Sequence, residues 1–238
     1  MTKMFCKKFI LFLILFFSAL TLYGFSFESY GVKGGVMYVR NSHLDSAPSP
    51  ALPFLGVNAG FHLNKNYFLE PSIIFNWSLY SWSENEKMAL PAEIEYADSV
   101  LLLNFIIDCP FVLKFRITEN VSICPFVSPV FIFRFPIRAW GEGDSSKSDI
   151  MSYFYNSRFI FLELGTFVEW YHSPRHSLKA RLDALLPVYN LWTESYSITD
   201  HFSIKASITF SFLTKNGQQR IAAASAASAA RSSEETAR

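Results

Sequence analysis

Apolar and polar residues alternate strictly along His201–Phe212. Phe202, Ile204, Ala206, Ile208, Phe210 and Phe212 are apolar, and Ser203, Lys205, Ser207, Thr209 and Ser211 between them are polar. Successive side chains of a β-strand point to opposite faces, so this segment is a strand with one greasy face and one wet face. The same period recurs in Tyr30–Val39, Phe54–Leu63, Tyr67–Trp82, Ser99–Arg116, Val121–Phe135, Tyr153–His172 and Ser177–Tyr189, which predicts eight strands. Ser99–Arg116 looks continuously apolar until parity is applied. Leu101, Leu103, Phe105, Ile107, Cys109, Phe111, Leu113 and Phe115 then share one face, and Asn104, Asp108, Lys114 and Arg116 the other. Arg158 is out of phase with Glu163 and Glu169, which predicts a bulge or an early strand end.

Connections alternate in length. Asn64–Asn66, Thr118–Asn120 and Ser173–His176 are short, whereas Arg40–Pro53, Ser83–Glu95, Pro136–Ser152 and Asn190–Asp200 are long. Short turns at one end and long loops at the other are the signature of a membrane barrel. His201–Phe212 is long enough to cross a bilayer at a tilt, which takes about 9–11 residues. Pro50, Pro53, Pro91, Gly141 and Gly143 fall within the long connections. Pro71, Pro110, Pro125, Pro129 and Pro187 fall inside strands, where proline cannot donate to the ladder and demands a bulge or break.

Alternation does not say which face is inside; volume does. Eight strands with roughly five large apolar residues each offer about forty side chains, too many for an eight-stranded interior. The apolar face therefore looks outward. The expected architecture is an all-β, eight-stranded antiparallel up-and-down transmembrane β-barrel. Its lumen would carry a mixed charge network: Lys33, Lys114, Arg116, Arg134, Lys179, Arg181 and Lys205 against Glu70, Asp108, Glu163, Glu169 and Asp183. Mixed signs in a narrow interior must pair there, which favours a plugged or very narrow barrel. Trp82, Trp192 and Tyr196 near the outer strand ends, and Tyr67, Trp170 and Tyr171 near the inner ends, are candidates for aromatic girdles.

Composition agrees. Half of the 238 residues are hydrophobic, 25 are Phe and only 17% are charged, against about 25% in an average soluble domain. A net charge of +1 without basic clusters gives no reason to expect nucleic acid as a partner. Residues 1–26 read as a cleaved signal peptide: Lys3, Lys7 and Lys8 precede an apolar core over Phe9–Leu22, and Gly24 or Ser26 suits the cleavage site. Cys6 would leave with it. Cys109 and Cys124 then remain on adjacent strands but opposite faces, so two free thiols are expected. Residues 27–213 form the expected barrel. Residues 214–238, rich in Ala and Ser from Ile221 onward, read as a mobile periplasmic tail, because an isolated helix of that length is marginal in water.

Several segments carry a family resemblance. Leu69-Glu70-Pro71 resembles the Leu-Glu-Pro often found in the third strand of the small bacterial outer-membrane β-barrel domain, the group that includes OmpA-, OmpX- and OmpW-like proteins. Cys109-Pro-Phe-Val-Leu-Lys-Phe115 resembles that group's Ile-Pro-Leu-Leu-Leu-Lys-Tyr. Ile123-Cys-Pro-Phe-Val-Ser-Pro129 resembles its Pro-Tyr-(Val/Leu)-x-x-Gly-Pro segment, with Ser128 in place of Gly. The strand ending on Phe212 also resembles the terminal strand of such barrels, Phe202, Ile204, Ile208, Phe210 and Phe212 forming its apolar face, although here a tail follows. The resemblance spans most of residues 27–212 and implies a fold and a place, the outer membrane with surface-exposed loops. It also implies partners: outer-membrane lipids, the barrel assembly machinery, periplasmic chaperones, and host or matrix ligands at the loops. It implies no single activity.

Chemistry is sparse. His43, His62, His172, His176 and His201 form no metal-ligand spacing; His172 and His176 are four apart across a turn holding Pro174, and read as solvated turn residues. No phosphate loop or nucleophile elbow occurs. Ser195, Thr199, Asp200 and His201 would be the rim residues of a lipid-modifying enzyme, but loop roles suffice for them. No catalytic residue, cofactor or metal is expected. The leading expectation is a non-enzymatic barrel with surface loops contacting the environment or host. A narrow channel for small or apolar solutes is the alternative, and a lipid-modifying enzyme the remote one.

Overall fold

The computed structural model describes residues 26–40, 51–64, 66–83, 88–92, 99–139, 159–188 and 202–236. Among these, twelve strand segments form one antiparallel sheet. They are β1 (Ser26–Val39), β2 (Ala51–Asn64), β3 (Tyr67–Leu69), β4 (Ser72–Ser83), β5 (Met88–Ala92), β6 (Ser99–Asp108), β7 (Phe111–Leu113), β8 (Phe115–Arg116), β9 (Val121–Ala139), β10 (Ile160–Ser173), β11 (His176–Leu186) and β12 (Ser203–Leu213). One helix, α1, follows at Lys215–Thr236.

Eleven of the twelve segments make eight staves; β5 lies in the connection between two of them. β3 and β4 are one stave broken at Glu70-Pro71, and β6, β7 and β8 are one stave broken first at Cys109-Pro110. Both breaks lie at prolines, which have no N–H for the ladder. The carbonyls beside the breaks are still used: Pro71 accepts from the Ala59 amide at 3.0 Å and Pro110 from the Glu70 amide at 3.1 Å. Each stave pairs with the next in sequence, and the last returns to the first. β12 pairs with β1 from Ser203 opposite Val39 to Leu213 opposite Ser29. The eight staves therefore close as an up-and-down barrel.

Closure needs close backbone approach at the seam. A Cβ added to Gly35 on β1 would lie 2.2 Å from the Ala206 carbonyl oxygen on β12 and 2.7 Å from the Phe54 ring. Only glycine fits there.

The strands run further than their alternation predicts in places. β1 starts at Ser26, β2 at Ala51 so that Pro53 lies within it, and β9 continues to Ala139. The long connection after β4 holds a strand of its own: β5, with Pro91, pairs with the upper end of β4 from Leu79 opposite Ala92 to Ser83 opposite Met88. Arg158, expected at a bulge, lies outside the described residues; β10 begins at Ile160. The three short turns gather at one end of the barrel. At the second of them the Ile117 and Thr118 amides both donate to the Val121 carbonyl, at 2.9 and 3.1 Å. At the third, the Ser173 hydroxyl accepts from the His176 amide at 3.1 Å.

The tail begins as a helix. α1 starts directly after β12. Thr214 caps it, its hydroxyl accepting from the Gly217 amide at 3.3 Å and donating to the Phe27 carbonyl at 2.8 Å. The Thr214 amide donates to the Glu28 carbonyl at 2.8 Å. A helix that would be marginal alone is thus begun by tertiary contacts with β1.

Outside, the barrel is apolar. Leu55, Val57, Trp77, Leu182 and Ile208 are exposed mid-stave, each by more than half. No helix among the described residues is long and apolar enough to cross a membrane; the crossing elements are the strands. A continuous apolar belt of this extent is the surface of a barrel that sits in lipid. At the short-turn end the belt ends in linked rings: Phe27 lies 5.4 Å from Phe61, Tyr30 5.3 Å from Phe212, Tyr67 5.4 Å from Phe111 and Phe210 5.1 Å from Phe212. Tyr67 and Trp170 point outward among this rim. Tyr171 does not: its odd position on β10 turns it into the lumen with Glu169, and it is buried. Trp192 and Tyr196 lie outside the described residues.

Candidate functional site: the filled lumen

Apart from the register shift at Glu28 on β1, inward positions follow parity along the staves, and this brings most of the sequence-predicted charges together in two balanced groups. The middle of the lumen holds three carboxylates and three cations. Arg181 on β11 reaches Glu163 on β10 at 2.7 Å and Asp183 on its own strand at 2.8 Å, with Asp108 at 3.7 Å. Lys205 on β12 reaches the same three, at 2.5, 3.6 and 3.8 Å. Lys33 on β1 completes the group at 3.8 Å from Asp108, and its ammonium donates to the Ser72 hydroxyl at 3.2 Å. Ser72 in turn donates to Asp108. All six ionic side chains are buried.

The second group lies nearer the short turns. Lys179 pairs with Glu70 and lies 3.9 Å from Glu169; Lys114 pairs with Glu169 and meets the Tyr171 hydroxyl. Ser177 and Tyr171 each donate to Glu169 at 2.9 Å, and Asn58 donates to Glu70 at 3.0 Å. Rings line this level: Lys179 sits 5.3 Å from the Phe167 centroid, and the Arg181 guanidinium 4.0 Å from the Phe126 centroid. At the mouth itself Arg220 of α1 makes a two-pronged pair with Glu28, and His62 Nδ1 lies 4.0 Å from the same carboxylate.

Two predicted members stand apart from these groups. Arg134 on β9 lies at the loop end opposite Asn104, its guanidinium 5.8 Å from the Phe161 ring. Arg116 is half-buried on β8, paired in register with Ser122. Glu28 and Arg220 are lumen charges that alternation did not supply: Glu28 lies beside a register shift between Phe27 and Ser29, and Arg220 is on the helix.

Above the charges, toward the long loops, the lumen is apolar. Met37, Val39, Leu52, Phe54, Ile74, Ile106, Val130, Ile132, Phe161 and Leu185 pack together. On the loop side of Ile74 and Ile106, Asn104 donates to Asn76 at 2.7 Å and to Ser78 at 2.6 Å. The wet face of the barrel is thus only partly wet. Two cavities lie in the lumen among the described residues, of about 20 Å³ near Glu70, Lys114 and Arg220 and about 10 Å³ near Phe161 and Arg134. Each is about the size of one water.

Cys124 is buried in the lumen among Phe68, Val112, Phe126 and Phe167, and Cys109 is half-buried on the outer face; both are free. His176 is not a solvated turn residue. It opens β11, and its ring stacks 5.5 Å from Phe210 with Ser173 at 3.0 Å from Nδ1. His172 is 5.9 Å from His176. Among the described residues no group of three or more His, Cys, Asp or Glu is arranged to hold a metal. Ser195, Thr199, Asp200 and His201 lie outside the described residues. The apolar face of β12 stands where alternation put it, with Ile204, Ile208, Phe210 and Phe212 exposed to the belt. Phe202 just precedes the strand, its carbonyl accepting from Arg40 at 2.8 Å.

No family model matches the chain, and no curated protein matches it in sequence. Solved structures do match in shape. Neisserial surface protein A overlays with a TM-score of 0.51 at 11% identity, covering 80% of this chain and 99% of that one. A designed transmembrane β-barrel overlays at 0.39 with 10% identity, covering 79% of this chain and 95% of that one. The attachment invasion locus protein Ail of Yersinia pestis overlays at 0.37 with 11% identity, covering 78% and 97%. Closed pairing, outward apolar belt, inward charge and the overlay on the Neisserial protein agree: the chain has the fold of the small eight-stranded outer-membrane β-barrels.

Proposed function

We propose that the chain is an outer-membrane β-barrel of a diderm bacterium whose function resides in its surface loops, which contact host surface, matrix or immune factors, and that the barrel neither conducts solutes nor catalyses a reaction. On this reading residues 1–26 are removed on export, the assembly machinery and periplasmic chaperones deliver the chain, and α1 lies in the periplasm.

The filled lumen is the observation that supports it. Passage of even a small solute requires breaking buried ion pairs in the middle layer and parting Phe54, Ile74 and Phe161 above it. Removing one partner from a buried pair costs about 3–5 kcal/mol, and the middle layer holds several. That argues against the channel reading, which needs a continuous path. With the interior committed to holding the barrel, the long connections at 40–50, 84–98, 140–159 and 187–202 are the parts left for recognition.

Two measurements on one preparation test this. The purified barrel in planar bilayers should be electrically silent, and cells making it should bind host matrix in a way that is lost when the four long connections are replaced by short turns. Steady conductance would overturn the reading in favour of a channel. A change in lipid A composition on deletion of the chain would overturn it in favour of a lipid-modifying enzyme.

A further inference from the structure

The inner mouth of the barrel is closed by the chain's own C-terminal segment. We propose that the first two turns of α1 are a latch over this mouth, with Arg220 as its bolt, and that releasing the bolt admits water to the cavity beneath.

The geometry is that of a fitted stopper. Arg220 makes both prongs of a pair to Glu28, and its guanidinium lies 4.5 Å from the Phe68 ring centroid. Lys114 lies against the same ring at 5.0 Å, so Phe68 has a cation near it at the mouth and another on the lumen side. Beneath lies the cavity of about 20 Å³, lined by Glu70, Lys114, Glu169, Tyr171, Cys124 and Arg220 among others. The latch is held from two further points. Thr214 ties the helix start to Phe27, and Gly217 lies so close to the Glu28 carbonyl that an added Cβ would come within 2.5 Å of it. Gln218 donates back to the Leu213 carbonyl at 3.0 Å. Gly217 is buried and Gln218, Arg220 and Ile221 are half-buried, whereas Ala222, Ala223 and Ala224 are exposed. The charge count fits: Glu28 without Arg220 is a buried carboxylate with only His62 beside it among the pairs at the mouth. A buried carboxylate that loses its partner draws in water.

Cys124 supplies a native reporter, since it is fully buried and lines the cavity under Arg220. The full chain, in a Cys109→Ser background that removes the lipid-facing thiol, is treated with a charged, membrane-impermeant methanethiosulfonate and labelling is followed by mass. Heat-shifted gel mobility shows that each variant is folded. Labelling of the native chain should be at least about tenfold slower than of the heat-unfolded chain. Arg220→Ala should label about ten- to a hundredfold faster than native while remaining folded, the factor that one charge-assisted hydrogen bond converts to. Glu28→Gln, which breaks the same pair from the barrel side, should do likewise. Equal rates for native and both variants, fast or slow, overturn the proposal. So does loss of the heat shift in both variants, because Arg220 would then be a folding element rather than a latch.

Discussion

Replacing Lys205 with Met tests whether the middle charge layer holds the barrel. Lys205 is 1% exposed and lies 2.5 Å from Glu163, with Asp183 and Asp108 at 3.6 and 3.8 Å. At an effective dielectric of about 20, a contact of 2.5 Å is worth about 7 kcal/mol of Coulomb energy. Desolvation of the ammonium and repulsion from Arg181 and Lys33 offset several kcal/mol of that. After the substitution three buried carboxylates face two cations, and one negative charge is left without compensation. The expected net loss is about 3–5 kcal/mol. With a urea slope of about 2 kcal/mol/M, the unfolding midpoint should fall by roughly 2 M. The assay is urea titration of the barrel in lipid vesicles, read by gel mobility and tryptophan fluorescence. The double variant Lys205→Met with Glu163→Gln restores balance and should recover most of the loss, because a neutral buried group costs far less than an unpaired ion. A single variant within about 0.5 kcal/mol of native, or a double variant as unstable as the two singles added, would refute the reasoning.

Three shorter predictions follow from the two faces and the seam. Ile208→Arg, at the middle of the lipid-facing side of β12, should cost about 2–4 kcal/mol in the same titration, whereas Phe27→Arg at the inner rim should cost about 0–1 kcal/mol; equal costs would mean the belt is misplaced. Gly35→Ala should abolish the heat-shifted species, since its Cβ would meet the Ala206 carbonyl, while Gly34→Ala, whose Cβ meets Leu55 at 3.4 Å, should keep it. On non-reducing denaturing gels the exported chain should run as a reduced monomer, with both Cys109 and Cys124 open to alkylation once unfolded; a protected pair would contradict their placement on opposite faces of the wall.

Much of this fold was readable because a strand has an exact period of two. Once Lys205, Glu163 or Asp108 is placed inside, every second residue on that stave follows, which is why the charged positions assemble. The inward apolar layer was harder to see. Leu102 and Ile106 share the parity of Asn104 and Asp108, but in an apolar run the eye gives all such residues to lipid. Tyr171 shares the parity of Glu169, so its inward turn was there to be read. β5 lay across a connection with a proline in it, where the local signal argues against a strand. The start of α1 did carry a local sign, Thr214 as a cap before an Ala-rich stretch. Its docking did not: Arg220 and Glu28 are 192 residues apart, and no local pattern reports such a contact.

The order of layers along the lumen has a physical consequence. Ion pairs are strong where water is kept out and weak where it enters. In this barrel the middle layer is sealed from the loop end by Phe54, Ile74, Ile106 and Phe161, and from the turn end by Phe68, Tyr171 and Arg220. The two seals differ in kind. The upper one is apolar side chains fixed on staves, while the lower one depends on a helix joined to the barrel through the last strand. If the charge layer draws its strength from dryness, opening the lower seal must weaken it at a distance. Arg220→Ala should therefore lower the cost of Lys205→Met, because a charge left unpaired beside water is cheaper than one left unpaired in a dry lumen. A double-mutant cycle on these two residues, which make no contact with each other, isolates that effect. Strict additivity would show that the middle layer is kept dry by its own packing and owes nothing to the helix.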